Sequence, residues 1–200
     1  MIAILLLAAG SSSRMRGRDK LLEDVDGVPL LRRQAQRAIS TGHPVFVTLP
    51  AASHARYETL EDLDITPVMV ADADEGMNAS LRAGIDALPT TAEAALVMLA
   101  DMPDITEFDI RKILQAIDLK SGTRIWRAMT EAGKAGHPVV FHATLFPELC
   151  TLTGDAGGKA IVDANRDKTV FVTLPQDHAR TDLDTPEAWA AWRAQRSAPD

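Results

Sequence analysis

Ile2-Ala3-Ile4-Leu5-Leu6-Leu7-Ala8-Ala9-Gly10-Ser11-Ser12-Ser13-Arg14-Met15, followed by Gly17 and Lys20-Leu21-Leu22, is the stretch that decides the fold. Its apolar run is short, unbroken and ended by small residues. That is the pattern of a strand covered on both faces, as in a parallel sheet. The strand empties into a Gly/Ser loop with Arg14 and Lys20 close behind. Small residues let the loop's backbone N–H groups approach a bulky anion, and the two cations bring charge to it. The combination suits a nucleoside triphosphate.

Spacing excludes two commoner phosphate loops. No Gly-x-Gly-x-x-Gly follows the strand, so the dinucleotide fingerprint is absent. Gly10 and Gly17 are seven apart and Gly17 is followed by Arg18, so Gly-x4-Gly-Lys-Ser/Thr is absent too. The residues alone leave an ordinary strand-to-helix turn as the competing reading.

Outward from this stretch, strand and helix patterns alternate. Val25-Asp26-Gly27 reads as a turn, and Pro29 opens a helix carrying Leu31, Ala35, Ala38 and Ile39, ended by Gly42. Residues 45–49 read as a second strand, stopped by Pro50. A polar helix over 53–63 leads to a third strand over 67–71 and the acidic turn 72–76. Met77, Leu81, Gly84, Ile85 and Leu88 then share a helix face. Residues 95–100 form another buried strand, stopping on Asp101-Met102-Pro103, and Thr106 with Asp109 caps the helix running to Ile117, with Gly122 closing it. The second half is less regular, with strands over 123–128, 138–141 and 169–173 and a mobile or ligand-wrapping loop over 154–159. Thr185-Pro186-Glu187 caps a last helix that packs Trp189 and Trp192 into the core. This alternation at short loop lengths predicts a single-domain α/β fold, doubly wound around a mostly parallel sheet. The domain spans 1–196, with a loose tail over 197–200. Ligands of such sheets collect at the carboxyl ends of the strands, where Gly10 and Asp101 both fall.

Composition narrows the function classes. Two hundred residues, 46% hydrophobic and 24% charged, describe a soluble globular chain with room for a proper core. A net charge of −7 argues against nucleic-acid binding, and it means that a bound triphosphate needs a divalent cation beside the local cations. The opening run is too short to span a membrane and lacks a basic n-region, so neither a membrane nor a secretory route is expected. The single cysteine, Cys150, fits a reducing cytoplasm. The five histidines are scattered and build no Cys/His metal cage.

Carboxylates carry the next signal. Asp101, at the exit of a buried strand with Pro103 fixing the turn, is placed to hold Mg²⁺ between phosphates, or else caps a turn. In Asp182-Leu183-Asp184-Thr185-Pro186 the two acids point to one side of an extended chain and Leu183 to the other. They repel unless a cation or solvent separates them, so a metal site and a solvated edge both remain open.

The opening signature resembles that of the nucleotidyltransferases that attach a nucleotide to the molybdenum cofactor, the MobA-like family. Leu7-Ala8-Ala9-Gly10-x3-Arg14-Met15-x-Gly17-x2-Lys20-Leu21 is most similar to the cytidylyltransferase branch, which has Leu-Ala-Ala-Gly where the guanylyl branch has a second Gly. Arg16 stands between Met15 and Gly17, one residue more than the family's order. Further motifs recur in family order up to residue 187. These are Gly76-Met77-x2-Ser80-Leu81-Arg82-Ala83-Gly84, Leu99-Ala100-Asp101-Met102-Pro103, Gly136-His137-Pro138, Gly154-Asp155-x-Gly157 and Asp182-x-Asp184-Thr185-Pro186-Glu187. Ala188 stands where the family has Asp, and Lys159 where an Arg is common.

The resemblance implies a Rossmann-like fold of the nucleotide-diphospho-sugar transferase type. It implies that residues 7–10 wrap the nucleotide, that Arg14 and Lys20 contact phosphates, and that Asp101 with Asp182 or Asp184 binds the metal. Ser80 and, less directly, Asp72 would face the nucleotide, although Ser80 sits on a helix whose other positions read as core. His137 and Asp155 would lie on the acceptor side, and a His before a Pro also reads as a plain turn residue. The expected reaction is transfer of CMP from CTP to the terminal phosphate of molybdopterin with release of pyrophosphate. Arg14, Lys20 and Asp101 would be the catalytic groups, Mg²⁺ the cofactor, and a molybdoenzyme or its chaperone the partner. The alternatives are GTP or another small phosphorylated acceptor on the same fold, or a non-catalytic carrier of the cofactor.

Overall fold

Strand β1 (Ile2–Leu7) is buried at every position after Ile2, as a strand flanked on both edges and covered on both faces must be. The computed structural model describes residues 1–51, 54–154 and 158–197. β1 pairs in parallel with β4 (Val45–Leu49) on one side and with β6 (Ala94–Leu99) on the other. Between β1 and β4 the chain makes a small hairpin, β2 (Asp24–Val25) and β3 (Val28–Pro29), and helix α1 (Leu30–Ile39). Pro29 therefore ends a strand paired with Asp24 rather than opening the helix, which starts one residue later.

Beyond β4 come the single-turn helix α2 (Ala55–Glu58), the edge strand β5 (Thr66–Met69) and helix α3 (Met77–Asp86). The chain then crosses back to β6, followed by α4 (Glu107–Gln115), β7 (Ile125–Met129), β8 (Ala135–His142), α5 (Phe146–Leu149), α6 (Lys159–Ala164), β9 (Thr169–Thr173) and α7 (Pro186–Ser197). The large sheet runs β5-β4-β1-β6-β8-β7-β9, with β8 antiparallel to both its neighbours and the rest parallel. The doubly wound, mostly parallel α/β fold read from the sequence is the fold observed.

Period-two alternation sends successive β1 residues to opposite sides. Ile4 and Leu6 pack with Leu30, Leu31 and Ala35 of α1, Ile110 and Ile113 of α4, and Trp189 and Trp192 of α7. Leu5 and Leu7 pack on the other side with Leu81 and Ile85 of α3, Leu149 of α5 and Ile161 of α6. Gly84 is where α3 comes closest, since a Cβ there would lie 2.4 Å from Leu5 Cδ1. The two tryptophans meet edge to face at 5.8 Å between centroids. Strands are added outward to one side of β1 (β4, β5) and then to the other (β6), which makes the β1/β6 boundary the switch point, and both strands end there on the loops that carry Gly10 and Asp101.

Other elements depart from expectation too. The helix expected over 53–63 is a single turn, Ala55–Glu58, because Arg56 is drawn inward to 1% exposure instead of lying on a solvated face. The third strand is Thr66–Met69, and Val70 continues it with one hydrogen bond to Leu49 before the chain turns away.

Candidate active site

A cleft of about 300 Å³ opens at the carboxyl ends of β1 and β6. Leu7, Ala8, Ala9 and Gly10 form its floor, Lys20 and Asp101 one wall, and Gly76 and Ser80 at the start of α3 the other. Of the eight residues expected around a nucleotide, six thus line one cavity, and Arg14 is joined to Lys20 in its wall through the Asp184 carboxylate they share. Asp72 stands apart from them. It is exposed beyond the short 3-10 turn Ala73–Glu75, and this turn points Asp74 into the cleft in its place.

Electrostatics concentrate on Lys20. Its Nζ lies 2.5 Å from Asp101 Oδ2 and 2.5 Å from Asp184 Oδ1, while Arg14 Nη2 reaches Asp184 Oδ2 at 2.7 Å. Burial alone would lower the Lys20 pKa, but the carboxylates of Asp101 and Asp184 outweigh it and hold the ammonium above its ordinary value. Burial likewise favours a neutral Asp184, and Lys20 and Arg14 overcome that, holding it ionised below the usual range. Asp182 has no such cation, so burial and the nearby Asp101 and Asp184 push its pKa up.

The Asp182–Asp184 segment is pinned by backbone. Leu183 N donates to Asp101 O at 3.1 Å, and the Leu183 side chain is buried, so the two acids are turned away from the core. Among the described residues no three His, Cys, Asp or Glu side chains converge as a ready-made metal cage. Asp101 Oδ1, however, is buried without a hydrogen-bond partner, beside a second carboxylate held by a lysine. Two carboxylates completed by phosphate oxygens and water make the donor set of a hard divalent cation, so the residues fit one.

The loop after β1 is shaped by a 3-10 turn, Ser13–Met15, between left-handed Ser12 (φ 53°) and Arg16 (φ 54°). Met15 is fully buried and anchors the turn, so its neighbours diverge: Arg14 goes to Asp184 and Arg16 to Glu187 at the head of α7, at 2.5 Å. The extra residue is absorbed in this turn, and Lys20 still reaches both carboxylates. Beneath the loop lies Arg56, which sequence reasoning missed. A four-residue helix carries no periodicity from which a buried arginine could be read.

A second cavity, about 280 Å³, adjoins the first through Leu7 and Met77. Its walls are apolar at Val97, Val139 and Phe141, and its polar groups are Arg127, His137, Lys159 and Asp163. Burial, helped by Arg127, pushes the His137 imidazole down to about 4, so the ring is neutral at physiological pH, and its buried Nδ1 has no hydrogen-bond partner. Arg127 was not singled out from sequence, although a charge inside the apolar strand Ile125-Trp126-Arg127-Ala128 was a signal. Asp155 and Gly157 lie outside the described residues.

Against known families, residues 4–170 match the model of the MobA-like NTP transferase domain. The chain belongs to that family. It carries a nucleotidyltransferase domain, and the proteins it is similar to agree with it over different lengths. A crystal structure of Rv0371c from Mycobacterium tuberculosis H37Rv superposes with a TM-score of 0.83 at 27% identity, over 95% of each chain. A manganese complex of Rv0371C superposes with a TM-score of 0.80 at 25% identity, over 98% of this MobA-like chain and 99% of that one. A curated relative from Natronomonas pharaonis, named a probable molybdenum cofactor guanylyltransferase, is 34% identical over 99 residues. That match covers 49% of this chain and 48% of the relative, so the chain spans about half the length of the curated relative it matches.

Proposed function

We propose that this protein transfers CMP from CTP to the terminal phosphate of molybdopterin, releasing pyrophosphate. The observation that carries the reading is Lys20 Nζ held between Asp101 and Asp184 at the lip of the small-residue loop. A cation and two acids at a sheet's switch point, beside a cleft floored by Ala8, Ala9 and Gly10, are what a metal-bound polyphosphate requires. In this reading the acceptor's phosphate oxygen attacks the α-phosphorus in line with the departing pyrophosphate. A phosphate monoester is already nucleophilic at pH 7, so no residue need act as general base. Lys20, Arg14 and the loop N–H groups stabilise the charge that moves onto pyrophosphate, and Ser80 with the start of α3 orients the nucleotide.

Mg²⁺ held by Asp101 with Asp184 or Asp182 would neutralise the phosphates, a role supported by the manganese complex of the similar Rv0371C. The adjoining cavity takes the acceptor. Its apolar walls suit a flat heterocycle, neutral His137 a hydrogen bond to it, and Arg127 and Lys159 its phosphate.

GTP is the second reading, favoured by the name of the Natronomonas relative, whereas Leu7-Ala8-Ala9-Gly10 favours CTP by resemblance. Incubation with molybdopterin, Mg²⁺ and each ribonucleotide in turn, following pyrophosphate release, decides between them. Release with CTP alone supports the cytidylyl assignment, and release with GTP alone overturns it in favour of guanylyl transfer. Release with none removes the transferase reading altogether.

A further inference from the structure

We infer that Arg56 is a positioning residue for nucleotide recognition, tying the two ends of the phosphate loop together from beneath without touching substrate. The inference rests on the reading that this loop grips a triphosphate. Arg56 Nη1 donates to Ala8 O at 2.6 Å, at the loop's start. Nε and Nη2 form a fork on Asp19, at 2.7 Å to Oδ2 and 2.7 Å to Oδ1, at the loop's end. Nη2 also donates to Ser12 Oγ at 3.1 Å, at the left-handed residue where the loop bends.

The network continues to the backbone of the gripping residues. Asp19 Oδ1 accepts from Leu21 N at 3.0 Å and from Ser12 Oγ at 3.0 Å, and Ser12 Oγ accepts from Lys20 N at 3.3 Å. The amides on either side of the Lys20 carbonyl are therefore held by groups that Arg56 holds. A planar guanidinium reaches a carboxylate, a carbonyl and a hydroxyl at once, whereas an ammonium offers a point charge that meets one or two. Arg56 is 1% exposed, so the arrangement is shielded from water and from salt. Arg56, Asp19 and Ser12 do not line the cleft. The network's effect is to fix where Lys20 and the Ala9–Ser11 backbone stand before the nucleotide arrives, which lowers the ordering cost of binding.

The test compares wild type with Arg56→Lys, Arg56→Ala and Asp19→Asn by steady-state kinetics in each substrate, thermal unfolding and amide hydrogen exchange. In Arg56→Lys the expected result is a nucleotide KM raised about tenfold, an unchanged acceptor KM and a melting point within a few degrees of wild type. Asp19→Asn raises the nucleotide KM in the same direction. In Arg56→Ala, tens of millimolar guanidinium restores part of the lost affinity. Exchange at the Lys20 and Leu21 amides quickens in each variant while β1 stays protected. A nucleotide KM within twofold of wild type in Arg56→Lys overturns the inference, as does unchanged exchange at Lys20 and Leu21. If wild type turns over no nucleotide, the proposed function falls, and the loop-ordering role is judged on exchange alone. Should Arg56→Ala fail to fold, Arg56→Lys and Asp19→Asn decide.

Discussion

The two oxygens of Asp101 face different surroundings, one held by the Lys20 ammonium and the other buried with no partner. In the proposed function the unpartnered oxygen is the one that meets an incoming cation. Asp101→Ala is accordingly expected to lower kcat by about 10³-fold or more while the melting point moves by only a few degrees, measured by pyrophosphate release and thermal unfolding. Lys20→Ala should raise the nucleotide KM and depress kcat by about 10²-fold. Unchanged kinetics would mean that the lengthened loop carries Lys20 clear of the phosphates. These residues were legible because each follows a buried strand and belongs to a local motif. Arg56 and Asp19 were not, because their importance lies in a contact across 37 positions of sequence that no local pattern records.

At the level of elements, the central strands were readable for a simple reason: β1, β4 and β6 are covered on both faces and show as unbroken apolar runs. The same double burial hid the direction of β8, since a strand buried on both faces carries no mark of whether it runs with or against its neighbours. The helix around Arg56 was misjudged in length because a polar stretch reads alike whether its side chains face water or a buried carboxylate. Close approaches between elements yield a comparison. A Cβ at Gly136 would lie 1.8 Å from the backbone oxygen of Ala179, which cannot yield, whereas one at Gly84 would meet the flexible end of Leu5. Gly136→Ala should therefore cost about 3 kcal/mol, lowering the melting point by roughly 6–12 °C, and Gly84→Ala distinctly less. Urea and thermal unfolding of the two variants side by side give the ordering. Gly136→Ala should also impair turnover in whatever fraction folds, because His137 N bonds Ala179 O and the segment beyond it carries Asp182 and Asp184.

Stability against pH belongs to the molecule as a whole, and His137 sets one part of it. Burial holds its pKa at about 4 in the folded protein against an ordinary 6.5, so the unfolded chain takes up a proton first as the pH falls. Stability fully present above pH 6.5 is then lost between 6.5 and 4, by up to about 3 kcal/mol. His137→Gln should flatten that slope in denaturant unfolding at pH 7 and pH 5, and an unchanged slope would assign it to other groups. A different consequence follows from how far apart the partners of Lys20 lie, 81 residues to Asp101 and 164 to Asp184. A ribosome that has delivered residues 2–181 has already made every strand of the large sheet among the described residues, yet the second acid is still to come. In the proposed function, competence for the triphosphate therefore waits for Asp184 to emerge, and a product cut before it would be a shell with an incomplete grip.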